Sequence, residues 1–282
     1  MSLTVFAVVL LAAFLHAAWN AVVKGGGDKM LSTVMVAVSA GLMGAVALPA
    51  LPQPAPASWP FIAASVGVHV VYFALVARIY HTADMSQTYP LMRGTAPLLV
   101  AVASVGWLGE HLSGLAWGGI AVVSLGILAM AGGGHGARAA AGSREGMWLA
   151  LLNALVIAAY TLIDGTGVRR SGAPVAYAFW IFVLTAVPLA AWALVARRPA
   201  LAGYVRRNLV LALVGGGGTL ASYGLSLWAM TRAPVAPVAA LRESSILFGA
   251  LISGLLLKER VGAARLGAAC LIAAGVATLR FA

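Results

Sequence analysis

Charge is what this chain has least of. Only 9% of its 282 residues are charged, where a soluble domain carries about a quarter. That deficit excludes a water-soluble globule, since 62% of the residues are hydrophobic and the mean hydropathy is +0.98. Cysteine is almost absent too. The single Cys270 can form no intramolecular disulfide, has no metal-ligand neighbours, and reads as a packing residue in the last apolar run. There is no G-x-x-x-x-G-K loop, so nucleotide hydrolysis does not drive the protein directly. There is no H-E-x-x-H, no G-x-S-x-G and no pair of membrane aspartates, so an intramembrane enzyme lacks its nucleophile, base or metal set. No cofactor and no metal site are expected, and the chain reads as a non-enzyme.

What is present is a series of apolar runs. They are roughly 18–25 residues long, the length of a membrane-spanning helix, and lack the ~10-residue alternation of a barrel strand. The net charge of +11 would suggest nucleic acid in a soluble protein. Here most Lys and Arg lie between the apolar runs, so they set membrane topology and no nucleic-acid partner is expected. The partners expected are a small-molecule substrate and the lipid bilayer, with the chain a monomer or weak homodimer. The first run, 2–23, has no basic n-region and is read as a retained helix. The others fall at 31–51, 59–81, 85–108, 113–131, 146–168, 174–196, 208–231, 234–257 and 262–280. The fold class expected is an all-α membrane protein of about ten transmembrane helices.

The runs divide into two halves. The stretch 132–145 is the longest polar connection and reads as the linker between a first unit, 1–131, and a second, 146–282. An odd number of helices per unit makes the second copy enter the membrane in the opposite sense, which is an inverted repeat. Two segments show it most clearly: Thr82–Glu110 and Thr231–Glu259, offset by 149 positions. Arg93 then meets Arg242 and Glu110 meets Glu259, while Gly118 and Gly126 meet Gly267 and Gly275. Those glycines sit on the fifth and tenth helices, where small residues permit close packing. Counted from opposite leaflets, the two arginines lie at equivalent depths, which predicts that they do not meet in one site. The loops after odd-numbered helices hold most of the basic residues, so positive-inside places them in the cytoplasm and both termini outside.

Polar side chains recur at helical spacing on six runs. They are His16, Trp19 and Asn20 on the first; Ser65, His69 and Tyr72 on the third; Ser86, Tyr89 and Arg93 on the fourth. Asn153, Tyr160, Thr161 and Asp164 mark the sixth, Thr219, Ser222, Tyr223 and Ser226 the eighth, and Arg242, Ser245 and Ser253 the ninth. The second and seventh read as apolar inside. A buried arginine is costly in a membrane. Two readings of Arg93 and Arg242 stand: a fork of donors for a substrate carboxylate, or structural pairing with a helix end, Asp84 or Glu243. The aromatic residues Trp19, Tyr72, Tyr89, Tyr160, Tyr223 and Trp228 offer amphipathic walls, with Asn20, Asp164, Glu243, Ser244 and Ser245 as further substrate contacts. Trp59, Trp107, Trp117 and Trp148, near helix ends, read as interfacial belt residues. His16, His69 and His81 read as gating or bundle residues, as do Glu110 and Glu259, which cap a following helix or gate a loop.

Tyr89-Pro-Leu-x-Arg-Gly-x-x-Pro97, Leu241-Arg-Glu-Ser-Ser245, Gly109-Glu110 and Lys258-Glu259, on ten helices in two repeats, resemble the drug/metabolite transporter superfamily and its EamA-type members. The resemblance covers essentially the whole chain, and the amino-acid exporters of the YddG type are the nearest comparison. It implies that helices one, three, four, six, eight and nine enclose a central cavity, with five and ten peripheral. It implies a secondary transporter of the bacterial plasma (inner) membrane, exporting small metabolites such as amino acids by alternating access. It also implies cytoplasmic termini, opposite to the loop charges. Drug or proton-antiport substrates, a channel and an enzyme are the alternatives.

Overall fold

A computed structural model describes residues 1–23, 28–83, 85–132, 144–256 and 262–282. Among these there is no strand. The helices are α1 (Leu3–Val23), α2 (Lys29–Ala47), α3 (Trp59–Thr82), α4 (Met85–Leu108), α5 (Gly114–Gly132), α6 (Arg144–Ser171), α7 (Pro174–Ala196), α8 (Arg198–Met230), α9 (Val235–Arg242), α10 (Ser245–Leu256) and α11 (Ala263–Phe281). Among the described residues nine helices are long and apolar enough to cross a membrane, and the shorter Gly114–Met130 is also apolar. The protein is an all-α multi-pass membrane protein.

Two of the expected helices differ in form. The eighth begins ten residues early, at Arg198, and breaks at Asn208 (φ −120°, ψ 20°). There the Asn208 side-chain amide donates to the Tyr204 carbonyl at 3.0 Å, the local side-chain competition that bends helices. The ninth is two pieces, α9 and α10. At the joint the Glu243 and Ser244 amides donate three residues back, to Ala240 and Leu241, at 3.1 Å each, a 3₁₀ tightening of the kind found where a long helix is interrupted. Pro237 sits in the first turn of α9, where its missing N–H leaves no bond unmade.

The helix pairings obey a pseudo-two-fold. Exchanging the first five spans for the last five turns the α1–α8 contact into the α6–α3 contact, and α4–α6 into the packing of the ninth span on α1. The α2–α7 and α5–α11 pairs map onto themselves. The last pair packs closely. A Cβ on Gly126 would stand 2.7 Å from the Ile272 side chain, and one on Gly275 2.7 Å from the Val123 backbone nitrogen. Gly118 and Gly267, expected in the same role, face open space, and Gly119 takes the place of Gly118 against Leu279. Cys270 is exposed on α11, so it does not pack inside as its apolar neighbours suggested. Trp59, Trp107, Trp117 and Trp148 are exposed near helix ends. The termini lie on one face, with the Met1 ammonium donating to the Ala282 carbonyl at 2.7 Å. We call this the terminal face and the other the basic face.

Candidate functional site

The centre of the bundle is built around charge. Arg93, nine residues into α4, meets Glu243 at the α9–α10 joint with Nε to Oε2 at 2.9 Å, both side chains under 10% exposed. An arginine in a membrane needs such compensation. Arg242 lies in the same place. With Arg93, Glu243, Tyr160, Pro97 and Ile157 it lines a cavity of about 10 Å³, room for about one water. The two arginines therefore meet, contrary to the depth expectation. Each is 3.5 residues from the middle of its span (Met85–Leu108; Val235–Leu256), about 5 Å at 1.5 Å rise per residue. A guanidinium on its long stem covers that offset.

Arg242 is half-buried, and none of the ion pairs found among the described residues includes it. Its guanidinium stands over the Tyr223 ring, 5.2 Å from the centroid. His16, half-buried on α1, is within electrostatic reach of both Arg93 and Arg242. It meets Trp19 edge-on at 5.4 Å. Trp19 lies against Gly218 of α8, where a Cβ would come within 2.7 Å of its own Cβ, and the indole N–H is buried without an acceptor. Ser244 and Ser245 are buried behind Glu243, the Ser244 hydroxyl without a partner.

Exposure along the inner faces shows where the site opens. On α4, Arg93, Pro97, Val100 and Ser104 are all buried, whereas Tyr89, one turn toward the basic face, is exposed with its ring 6.0 Å from the Arg93 guanidinium. On α1, Val9 and Ala12 are buried, while Asn20, one turn beyond His16, is exposed. Likewise α9 is packed by α1, α4, α5, α6, α8 and α11, whereas α10 rests chiefly on α1. The change from exposed to buried along α1 and α4, with Arg242 half-buried, fits a crevice that opens on the basic face and ends near Arg242. Asn20 spends its amide on the His16 carbonyl at 2.7 Å.

The terminal face is shut by a clasp. The Glu110 carboxylate accepts the Val235 amide, the first of α9, at 2.8 and 3.0 Å, and the Arg169 guanidinium at 2.8 Å. Arg169 also donates to the Met230 and Ala233 carbonyls at 2.8 and 2.9 Å. Glu110 therefore caps a helix, but one in the other half of the chain instead of the segment that follows it; the helix dipole makes that end of α9 the favourable place for a carboxylate. Glu259, its repeat partner, lies outside the described residues, as do Asp84 and most of the 132–145 linker.

A second polar cluster lies toward the terminal face. Asp164 is fully buried and accepts the Tyr177 hydroxyl at 3.2 Å and the Tyr223 hydroxyl. Tyr160 stacks on His69 at 4.4 Å, and Tyr72 meets Tyr160 edge-on at 6.0 Å. Tyr177 corrects the expectation that the seventh helix is apolar inside. It stands one turn into α7, a position that reads from sequence as an interfacial tyrosine. Two expected residues stay apart from the centre. Trp228 lies at the terminal end of α8 beneath the Arg232 guanidinium, 4.5 Å away, and His81 is exposed in the last turn of α3.

Residues 144–281 match the model of the EamA-like transporter family. None of the curated proteins matches the chain. Twenty-eight chains among the solved structures do, including a crystal structure 20% identical that covers 99% of this chain and 96% of that one at a TM-score of 0.75. That likeness gives the fold, and the family match, over just under half of the chain, says that the second half of this multi-pass membrane protein is similar to an EamA-like transporter domain.

Proposed function

We propose that the protein is a secondary transporter that exports amino acids across the bacterial plasma membrane by alternating access, with Arg242 holding the substrate carboxylate. The observation that carries this reading is the charge of the central site. Arg93 and Glu243 neutralise one another, which leaves Arg242 as one net positive charge at the floor of a crevice. A planar guanidinium with free donors suits a carboxylate, and a net positive site disfavours a cationic drug. Tyr72, Tyr89, Tyr160 and Trp19 supply amphipathic walls for an apolar or aromatic side chain. The cavity beside Arg242 holds about one water, so the substrate binds from the crevice and the walls close over it. The two pseudo-symmetric halves supply the rocking motion.

Radiolabelled amino-acid flux in proteoliposomes, with a competition panel that includes cationic dyes, tests the reading. Arg242→Ala is expected to abolish amino-acid flux while Arg242→Lys retains part of it, with both variants folded. Undiminished flux in Arg242→Ala, or competition by cationic dyes alone, would overturn it.

A further inference from the structure

A groove of about 300 Å³ runs along the outer seam between α3 and α6, lined by Gly67, Val68, Val71, Leu155, Val156 and Ala159. All six are apolar, and they lie near the middle of both helices, Trp59–Thr82 and Arg144–Ser171. Gly67, Val71 and Leu155 are exposed, so the groove faces the bilayer. Toward the terminal face the seam closes: a Cβ on Gly167 of α6 would stand 2.5 Å from the Phe61 Cβ of α3. At the groove, a Cβ on Gly67 would meet nothing within 4 Å. The pseudo-symmetric seam between α1 and α8 has no such opening. Gly218 stands five residues before Tyr223, as Gly67 stands five before Tyr72, yet a Cβ on Gly218 would come within 2.7 Å of the Trp19 Cβ. On the inner side of the α3–α6 seam the His69 and Tyr160 rings stack at 4.4 Å.

Lipid tails are as apolar as this groove, so burial alone selects no occupant. Shape and charge select it. The groove has the volume of roughly ten waters at about 30 Å³ each, which suits an extended hydrocarbon chain; a helix about 10 Å across would bridge the seam without entering it. Arg170 supplies the charge. It stands eleven residues beyond Ala159, about 20° away around α6 at 3.6 residues per turn, so it shares the helix face that lines the groove. Its guanidinium rests over the Phe61 ring of α3, 4.8 Å from the centroid. It is exposed, and none of the ion pairs found among the described residues includes it. A second copy of this chain has little to offer such a cation. Of the five described side-chain carboxylates, Asp28, Glu110, Glu145 and Glu243 are already paired with arginines, and Asp164 is fully buried. A lipid phosphate has what is needed, at the right depth. Arg170 is 12.5 residues from the middle of α6 (Arg144–Ser171), about 19 Å at 1.5 Å rise per residue. One leaflet with its headgroups is about 20–22 Å thick, so a phospholipid with its phosphate at Arg170 brings its chain down to the groove.

We propose that the α3–α6 seam binds one phospholipid of the terminal leaflet, with its phosphate on the Arg170 guanidinium and one acyl chain in the notch at Gly67. The planar fork of donors suits phosphate oxygens. The chain fills on this seam the space that Trp19 fills on the α1–α8 seam, and it packs on the outer side of the two helices that carry His69, Tyr72 and Tyr160. This site is independent of the amino-acid reading of the Arg242 site.

Native mass spectrometry of the detergent-solubilised full chain tests this, with dioleoyl phosphatidylglycerol as probe and dioleoylglycerol, which has the same chains and no phosphate, beside it. The wild type is expected to hold one saturable phosphatidylglycerol per monomer and no dioleoylglycerol. Arg170→Gln is expected to weaken that retention about fivefold, the worth of one arginine at a membrane surface. Gly67→Leu is expected to remove the saturable adduct. Both residues are exposed, and Gly67 has open space about it, so both variants fold. Arg78→Gln, at the basic end of the same seam, where Arg78 is paired with Glu145, is expected to change nothing. The lipid should also raise the thermal unfolding temperature of the wild type and not that of Gly67→Leu. Equal retention in wild type, Arg170→Gln and Gly67→Leu overturns the site, as does equal retention of dioleoylglycerol. Loss in Arg78→Gln alone would place the lipid in the other leaflet and overturn the assignment to Arg170. A wild-type dimer that Gly67→Leu dissolves would show that a second copy covers the groove, and would overturn the proposal too.

Discussion

A charged side chain inside a membrane is kept only where something balances it. For Arg93 that partner is Glu243, and for Glu110 it is Arg169 together with a helix N-terminus. Removing one member of a buried pair leaves the other uncompensated, at a cost of about 3–5 kcal/mol. Glu243→Gln should therefore lower the thermal unfolding temperature of the detergent-solubilised protein by several degrees. The double variant Arg93→Gln/Glu243→Gln should recover part of that loss, and no recovery would show that the pair is not the cause. Arg93 was legible in the sequence because an arginine in an apolar run has no other explanation. Its partner was one of several candidates, since the choice among Glu243, Asp84 and a helix end depends on which helices touch. Tyr177 was not legible at all: a tyrosine near a helix start is the ordinary interfacial residue, and only the packing of α7 on α6 turns it inward.

At the scale of the element, interruption and close approach do the work. The ninth span breaks where Arg242, Glu243 and Ser244 must reach the centre, and tight i−3 bonds keep its backbone satisfied through the joint. The α5–α11 pair depends on glycine at chosen positions only. Gly126→Ala, with Cβ 2.7 Å from Ile272, is expected to destabilise by about 1–3 kcal/mol through overpacking. Gly267→Ala meets nothing within 4 Å and is expected to be neutral or stabilising by up to about 1 kcal/mol from helix propensity. Thermal stability of the two variants side by side checks this, and equal losses would contradict the packing account. Most of the span limits were legible because hydrophobic length is set by the bilayer itself, whereas the early start of α8 and the break in the ninth span were not. Which glycine faces a partner was not, since Gly118 and Gly119 differ only in rotation about the helix axis.

For the whole molecule the asymmetry between the two faces matters most. The terminal half is packed around α9 and locked by Glu110 and Arg169, and the basic half holds the crevice. In a protein of this pseudo-symmetry, passage to the other face requires that clasp to open. In a Cys270→Ala background, Tyr89→Cys should react with a membrane-impermeant maleimide from the basic face, and Ser104→Cys, fully buried, should be protected from both. Adding Glu110→Gln, which weakens the hold on Arg169 and on the Val235 amide, should raise labelling of Ser104→Cys from the terminal face. Unchanged protection would mean that the clasp is not the lock.

The sequence by itself determined the solvent and most of the helices, and it predicted two halves related by a repeat. Each follows from composition and local spacing, which the bilayer and the 3.6-residue turn read directly. It also put a price on the buried charges. Tertiary structure decided the pairing: that Arg93 takes Glu243, that Arg242 joins it instead of standing in the other leaflet, that Glu110 caps a helix in the other half of the chain, and that Asp164 is left among tyrosines. These choices rest on which helices touch and how each is rotated, quantities set by side chains more than a hundred positions apart and by no local pattern.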